Sequence, residues 1–564
     1  MDALTLDLQS LAAPLEQACL ELERRDFAAA LWSRRLDVWT GDPATQQKIA
    51  NRLGWLDALA FVAPQVPRLR AFADSVRGAG FAEVILLGMG GSSLAPEVIH
   101  QVIGVAPGYP PFRMLDSVDP DAVRAALGGA GQALFVLASK SGSTIEPNTM
   151  AAEAQRRASA HGGTWSDRVV AITDGDSPFH RRAVAEHFRE IFINPADIGG
   201  RYSALSLFGM VPAALMGANL DALIAQAQAM ADACRQRDVR QNPGLLLGAC
   251  MAAGARTGRD KLTLLMPPRL QSFGLWLEQL IAESTGKQGK GVVPITGETA
   301  LAPIGPDRLA VAITLGDELP DAVALDKVRR SQTPLVTIHM PDVHALGAQF
   351  FLWEVATATA GLLLGINPFD EPNVQQAKDA TRVLLDGYRA ERRLPLPQPH
   401  ASIDGVRLTL SGAAETALAG APVDGFLSLI QPGDYFGLLA YTPPDEPRWA
   451  TPLEEFRNGV ATTCECATMF GYGPRYLHST GQLHKGGPNN GVFVIVAVAA
   501  TDDLEIPGET FSFGVLETAQ AVGDFQSLDR EGRRALLIDV PRRDPALLAR
   551  VMRGLLDRFE RRSR

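Results

Sequence analysis

The sequence predicts an α/β protein of two doubly wound parallel-sheet units, plus a carboxyl-terminal segment that partly repeats the second. Two observations carry this. Fully apolar strands ending in glycine or serine turns alternate with helical stretches, as in AEVILLGMGGSS followed by APEVIHQVI and ALFVLASKSGST followed by EPNTMAAEAQRRASA. Continuous apolar strands of this kind belong to parallel sheets covered on both faces. In addition, the polar turn AESTGKQGKG at 282–291 returns as LHSTGQLHKGG at 477–487, with His478 where the first copy has Glu283.

Taken in order, residues 1–75 read as helices, because apolar residues recur at three and four positions in LQSLAAPLEQACLEL and around IANRLGWLDALAFV. A first unit over 76–240 contains the two strands above and RVVAITD. A second, over 241–391, contains strands KLTLLM, RLAVAIT and PLVTIHM and helices SFGLWLEQLIAE and LGAQFFLWEVATATAGLLL. The proline-rich RRLPLPQPH makes 392–400 a linker. Over 401–564, STGQLHKGG, strand VFVIVAV, the proline before helix FGVLETAQAVGDFQSL and strand ALLIDV are read as echoing the second unit in the same order.

Composition narrows the function. With 46% hydrophobic and 21% charged residues, the 564-residue chain is of ordinary globular type. A net charge of -10 without a dense basic run disfavours nucleic acid. The amino terminus lacks the basic and apolar regions of a signal peptide, and no unbroken apolar run suits a membrane span, so a cytoplasmic protein with no membrane partner is expected. Five scattered cysteines fit a reducing compartment; Cys464-Glu465-Cys466 lacks a second ligand pair for a metal.

Ligands of parallel sheets bind at the carboxyl ends of strands. Gly88-Met89-Gly90-Gly91-Ser92-Ser93 permits close backbone approach there. Ser139-Lys140-Ser141-Gly142-Ser143-Thr144 offers hydroxyls and an ammonium at a helix start and reads as a phosphate cradle, the alternative being a capped serine turn. Neither loop has the spacing of a Walker or dinucleotide motif. In Gly199-Gly200-Arg201-Tyr202-Ser203, Arg201 either opposes developing negative charge or pairs with Asp197.

VILLGMGGSSLAPEV, VLASKSGSTIEPNT, GGRYSALS, EQLIAESTGK and GINPFDEPNVQQAK, in this order between 84 and 378, resemble the glucose-6-phosphate isomerases of the double sugar-isomerase (SIS) fold. The carboxyl-terminal segment resembles the isomerase portion of fused transaldolase and glucose-6-phosphate isomerase proteins, without a transaldolase part. The resemblance implies two SIS-type units and reversible isomerisation of glucose 6-phosphate to fructose 6-phosphate through a cis-enediolate, with no cofactor and no metal. By position it implies that Gly91 and Ser92 meet the sugar, that Ser139, Lys140, Ser141 and Thr144 hold the phosphate, and that Gln279 contacts the substrate. Arg201 would steady the enediolate, Glu283 move the proton and Lys378 assist ring opening. Glu371 stands where the family has a glutamine.

The family's L-H-S-x-G-Q motif lies between its glutamate and lysine, whereas Leu477-His478-Ser479-Thr480-Gly481-Gln482 follows both. His478 is assigned as the ring-opening acid on the motif, with His484 competing and His344 read as structural. A homodimer is the family's usual state; a histidine supplied by a repeat in the same chain would allow an active monomer. The alternatives are an isomerase of another sugar phosphate such as mannose 6-phosphate, and a non-catalytic SIS sensor of sugar phosphates.

Overall fold

The structure is a computed structural model that describes residues 4–563 apart from 161, 163 and 445. It begins with β1 (Thr5–Asp7), not with a helix as the periodicity of the first 75 residues implies. Three residues are too few to carry a period, and their pairing partners, Leu335 to Thr337, lie far along the chain. The rest of that segment is helical.

The first sheet contains β2 (Glu83–Leu87), β3 (Phe112–Leu115), β4 (Ala133–Ala138), β5 (Val169–Asp174) and β6 (Glu190–Asn194). All are parallel, in the order β3-β2-β4-β5-β6. Every residue of β4 and β5 is buried, as expected of strands covered on both faces. The strand order reverses between β2 and β4. The loops that follow these two strands, Gly88–Ser93 and Ser139–Thr144, therefore diverge and leave a crevice between them.

The second sheet contains β7 (Lys261–Leu265), β8 (Val293–Ile295), β9 (Arg308–Leu315) and β10 (Leu335–Met340) in the order β1-β10-β9-β7-β8. Four strands are parallel, but β1 runs antiparallel to β10, so the sheet is mixed and not wholly parallel. Behind it lies helix Leu346–Leu364, every residue of which is buried. Among the described residues this is the one helical segment long and apolar enough to cross a membrane, and it forms part of the protein core.

The third sheet contains β11 (Ala401–Ile403), β12 (Val406–Leu410), β13 (Tyr435–Tyr441), β14 (Ala467–Tyr472), β15 (Gly491–Val498) and β16 (Arg534–Val540), in the order β11-β12-β16-β15-β13-β14. Setting β11 aside, this is the order and direction of the second sheet, down to an antiparallel edge strand supplied by the preceding chain. The likeness extends over the whole sheet, but the sequence matches that suggested it are out of step. Ser284-Thr285-Gly286 ends the helix before β8, whereas Ser479-Thr480-Gly481 follows β14. Likewise helix Phe513–Arg530 lies between β15 and β16, whereas Leu346–Leu364 follows β10. Short polar turns recur by composition, and only strand pairing fixes the true correspondence.

The third unit is not an appended tail. Its Tyr441, Phe493 and Phe513 share one apolar core with Ile85, Leu87 and Phe135 of the first sheet. Charged clamps reinforce that seam: Arg475 donates two hydrogen bonds of 2.8 Å to Asp116, and Arg543 pairs with Asp119 at 2.5 Å. Against the second unit, buried Arg457 donates to the Thr296 carbonyl at 2.6 Å and to Thr468 on its own side.

Candidate active site

Three units converge on the glycine loop. Gly90 has φ +56°, and a Cβ there would lie 2.8 Å from the His478 carbonyl oxygen and 2.9 Å from Gln279 Nε2. A Cβ on Gly91 would lie 2.0 Å from the Gly200 carbonyl oxygen. Both positions thus need glycine, one for its conformation and both for space. Ser92, beside them, is half-buried.

Glu283 comes to this junction on helix Gln271–Thr285. A crossover helix runs back against the strand before it, so its carboxyl end lies at the opposite edge of the second sheet from that sheet's own strand ends. There Glu283 Oε1 is 3.3 Å from Arg201 Nη1, while Oε2 is buried without a hydrogen-bond partner. Burial raises the Glu283 pKa; Arg201 pulls it back, Glu371 pushes it up again, and Lys287 and His478 lower it. One turn earlier Gln279 donates from Nε2 to the His478 carbonyl at 2.6 Å, and its Oε1 is also buried and unpartnered.

Arg201 is 3% exposed. Its Nε donates to Ser284 Oγ at 2.8 Å, Nη1 to Glu371 at 3.1 Å, and Nη2 to the carbonyls of Pro368 and Asp370. It therefore clamps the 368–371 loop onto the first unit, and pairing with Asp197 plays no part. Glu371, in the position of the family glutamine, is a second carboxylate on the same guanidinium. Lys287, lowered to about 8 by burial and the nearby Arg201 charge, holds the same loop through Asp370 at 2.9 Å and the Asn367 carbonyl.

His478 follows β14 in a short 3-10 turn, Arg475–His478. Its Nε2–H donates to Glu146 Oε1 at 2.9 Å, and the same oxygen accepts from Gln520 Nε2 at 2.7 Å. Glu146 is buried at the start of helix Ile145–Ala160. Burial pushes its pKa up, but the His478 charge and hydrogen bond outweigh this and leave it lowered. His484 does not line the cavity beside His478: both ring nitrogens are buried without partners among the described residues, near Tyr435, Tyr476 and Phe493, and burial drives its pKa well below the usual value. His344 lies at the surface beside Asp342.

A cavity of about 440 Å³ opens beside His478, with Ser143, Thr144, Glu146, Lys378 and Gln520 on its wall. Glu283, Arg201 and Gln279 are not on that wall, although Gln279 bonds to the carbonyl of His478 and Glu283 feels the His478 charge. In the hydroxyl turn, Ser139 Oγ accepts from the Gly142 amide at 3.1 Å, and Ser141 and Ser143 share a hydrogen bond of 2.7 Å. Lys140 points elsewhere: its ammonium is 2.5 Å from Asp174 and 2.6 Å from the Ala196 carbonyl, so it braces the turn and does not face the cavity. Thr144 and Ser143 remain at the cavity. No group of three or more possible metal ligands occurs among the described residues; Cys464 is half-buried and Cys466 buried.

The sequence motifs did not reveal Glu146 or Gln520. Glu146 stands two residues after the hydroxyl turn, and its position at a helix start was the available signal; Gln520 lies in the stretch FGVLETAQAVGDFQSL with nothing in its immediate neighbours to single it out.

Residues 61–305 match the family described as Phosphoglucose isomerase. The chain is 30% identical over 387 residues to a glucose-6-phosphate isomerase of Synechococcus sp. strain CC9902, covering 58% of this chain and 71% of that protein. It is 30% identical over 401 residues to that of Thermosynechococcus vestitus, covering 62% and 74%. The chain belongs to the phosphoglucose isomerase family. Two solved structures share the fold: a hypothetical protein of Thermus thermophilus, with TM-score 0.55, 24% identity and coverage of 67% of this chain and 99% of that one, and a glucose-6-phosphate isomerase of Chlamydia trachomatis, with TM-score 0.54, 19% identity and coverage of 67% and 86%. The family match ends at 305, so the third sheet, which carries His478, lies outside it.

Proposed function

We propose that this family member isomerises glucose 6-phosphate, the substrate its relatives' names give for them, to fructose 6-phosphate, and that one chain holds a complete site. The observation that carries the reading is Glu283, a buried carboxylate with one oxygen against Arg201 and the other without a partner among the described residues, one helical turn from Gln279, which donates to the His478 carbonyl. A buried carboxylate of raised pKa with a free oxygen is suited to take a proton from carbon and return it.

In this reading the phosphate lies at Ser143 and Thr144 and the start of helix Ile145–Ala160, where unpaired amides favour an anion. His478, held by Glu146, gives a proton to the ring oxygen while Lys378 takes the anomeric hydroxyl proton, and the ring opens. Glu283 then removes the proton from C2 and delivers it to C1, with the negative charge on the enediolate oxygens opposed by Arg201. The approximately 440 Å³ cavity takes the phosphate and the ring-opening groups, and in this reading the C1–C2 end of the substrate extends past its wall to meet Glu283. A cytoplasmic location accords with such a substrate.

The test follows fructose 6-phosphate formation from glucose 6-phosphate in the parent and in Glu283→Gln, with and without chelator. Turnover in the parent that resists chelator and is lost in Glu283→Gln is expected. Absence of turnover in the parent, or its abolition by chelator, would overturn the reading or its metal-free form. Sedimentation at assay concentration tests the single-chain site: activity confined to a dimer contradicts it.

A further inference from the structure

Gln520 lies on helix Phe513–Arg530 of the third unit, is 2% exposed, and faces the cavity beside His478. Its amide orientation is not ambiguous. A carboxylate only accepts, so the group 2.7 Å from Glu146 Oε1 is the NH2 end. That leaves Oε1 buried with no partner among the described residues, an arrangement costly for a side chain with only a packing role. His478 donates to the same Glu146 oxygen.

We infer that Gln520 is a positioning residue: by sharing Glu146 Oε1 with His478 it limits how strongly that carboxylate holds the imidazole proton, leaving the proton transferable. The inference rests on the proposed role of His478 in ring opening. Two donors on one carboxylate oxygen compete, and each weakens the other's bond. With Gln520 removed, Glu146 would bind the imidazolium more tightly and surrender its proton less readily.

The charged and titratable groups around the pair come from several elements. Glu146, Lys378, Asp379, Arg382 and Arg389 lie on the cavity wall, Glu283 feels the charges of His478 and Arg201, Arg475, three residues before His478, is fixed by Asp116, and Tyr441 feels the Glu146 charge from β13. Of these groups only Glu146 bonds to Gln520, so replacing the amide acts through Glu146.

The counterpart of this helix in the second unit, Ala322–Arg330 between β9 and β10, is half as long, with one buried residue. The third unit's version has 18 residues, most of them buried. The repeat therefore supplies both the histidine and the amide that tunes it.

The test compares the histidine titration, followed by NMR in the full chain without substrate, in the parent, Gln520→Leu and the near-isosteric Gln520→Met. His478→Ala assigns the signal. The His478 titration of both variants is expected to move to higher pH by about half a unit to one unit, the equivalent of one hydrogen bond. The acid limb of the kcat/KM profile should move in the same direction. An unmoved titration in either folded variant overturns the inference, even if activity falls uniformly with pH. Because the titration needs no turnover, a moved signal in an inactive parent would sustain the positioning role and reject the isomerase reading instead.

Discussion

The second and third units share strand order and an antiparallel edge strand, yet they bring different groups to the same junction. The second contributes Glu283 from the end of the helix before β8; the third contributes His478 from the turn after β14. The counterpart helix before β14, Pro447–Thr463, ends in Val460-Ala461-Thr462-Thr463, with no carboxylate in its last turn to act as a base. The difference teaches that a duplicated sheet need not duplicate a site. Each copy presents a different end of its framework to the first unit, and the divided roles meet at Gly90 and Gly91.

Four experiments would break or sharpen this comparison. The largest effect is expected for Glu283→Gln, with kcat down by about 10³-fold or more, as for loss of the proton-transferring group. Adding Thr463→Glu should restore nothing, since that helix end does not reach the junction; recovery of activity would mean the units are interchangeable. Next, Lys485→Met removes the partner of Asp524 in a pair 2.5 Å apart, with side chains 1% and 0% exposed. Leaving Asp524 buried and unpaired should cost about 3–5 kcal/mol in denaturant unfolding. An unchanged midpoint would show that the third unit's core does not depend on the pair.

His478→Ala should lower kcat by about 10²-fold on ring-closed substrate. Mixing it with Glu283→Gln chains should give no recovery, because each chain holds both groups; rescue on mixing would place the histidine across a subunit contact. The smallest effect concerns Glu278, whose carboxyl burial raises to about 8, against the nearby Arg457 charge. A raised folded pKa means that the folded chain binds more protons than the unfolded one, so stability is greatest below the ordinary glutamate range and declines as pH rises through about 8. In Glu278→Gln the thermal midpoint should vary less over this interval. An equally steep decline would assign the dependence to other groups.

Much of the first unit was legible because its information is local. Apolar strands β2 and β4 run straight into the loops that define the crevice, and Gly91 and Thr144 lie in those loops. The motif around Glu283 likewise fixed its helix. For Lys140 the local pattern is silent on where the side chain goes: a lysine among serines suggests an anion, and in the structure its ammonium pairs with Asp174 at the end of the neighbouring strand. The repeated STG was misleading, because a three-residue match carries less information than the strand pairing that places it.

The sequence by itself determined the alternation of buried strands and helices and the positions where the turns need glycine, since these depend on periodicity and on the chemistry of single residues. Only the tertiary structure decided that β1 completes a sheet with the distant β10, that the third sheet reproduces the second, and that Glu146 and Gln520 share His478's surroundings. Those facts are contacts between distant segments. They arise from packing apolar faces and pairing buried polar groups in three dimensions, which no local pattern along the chain encodes.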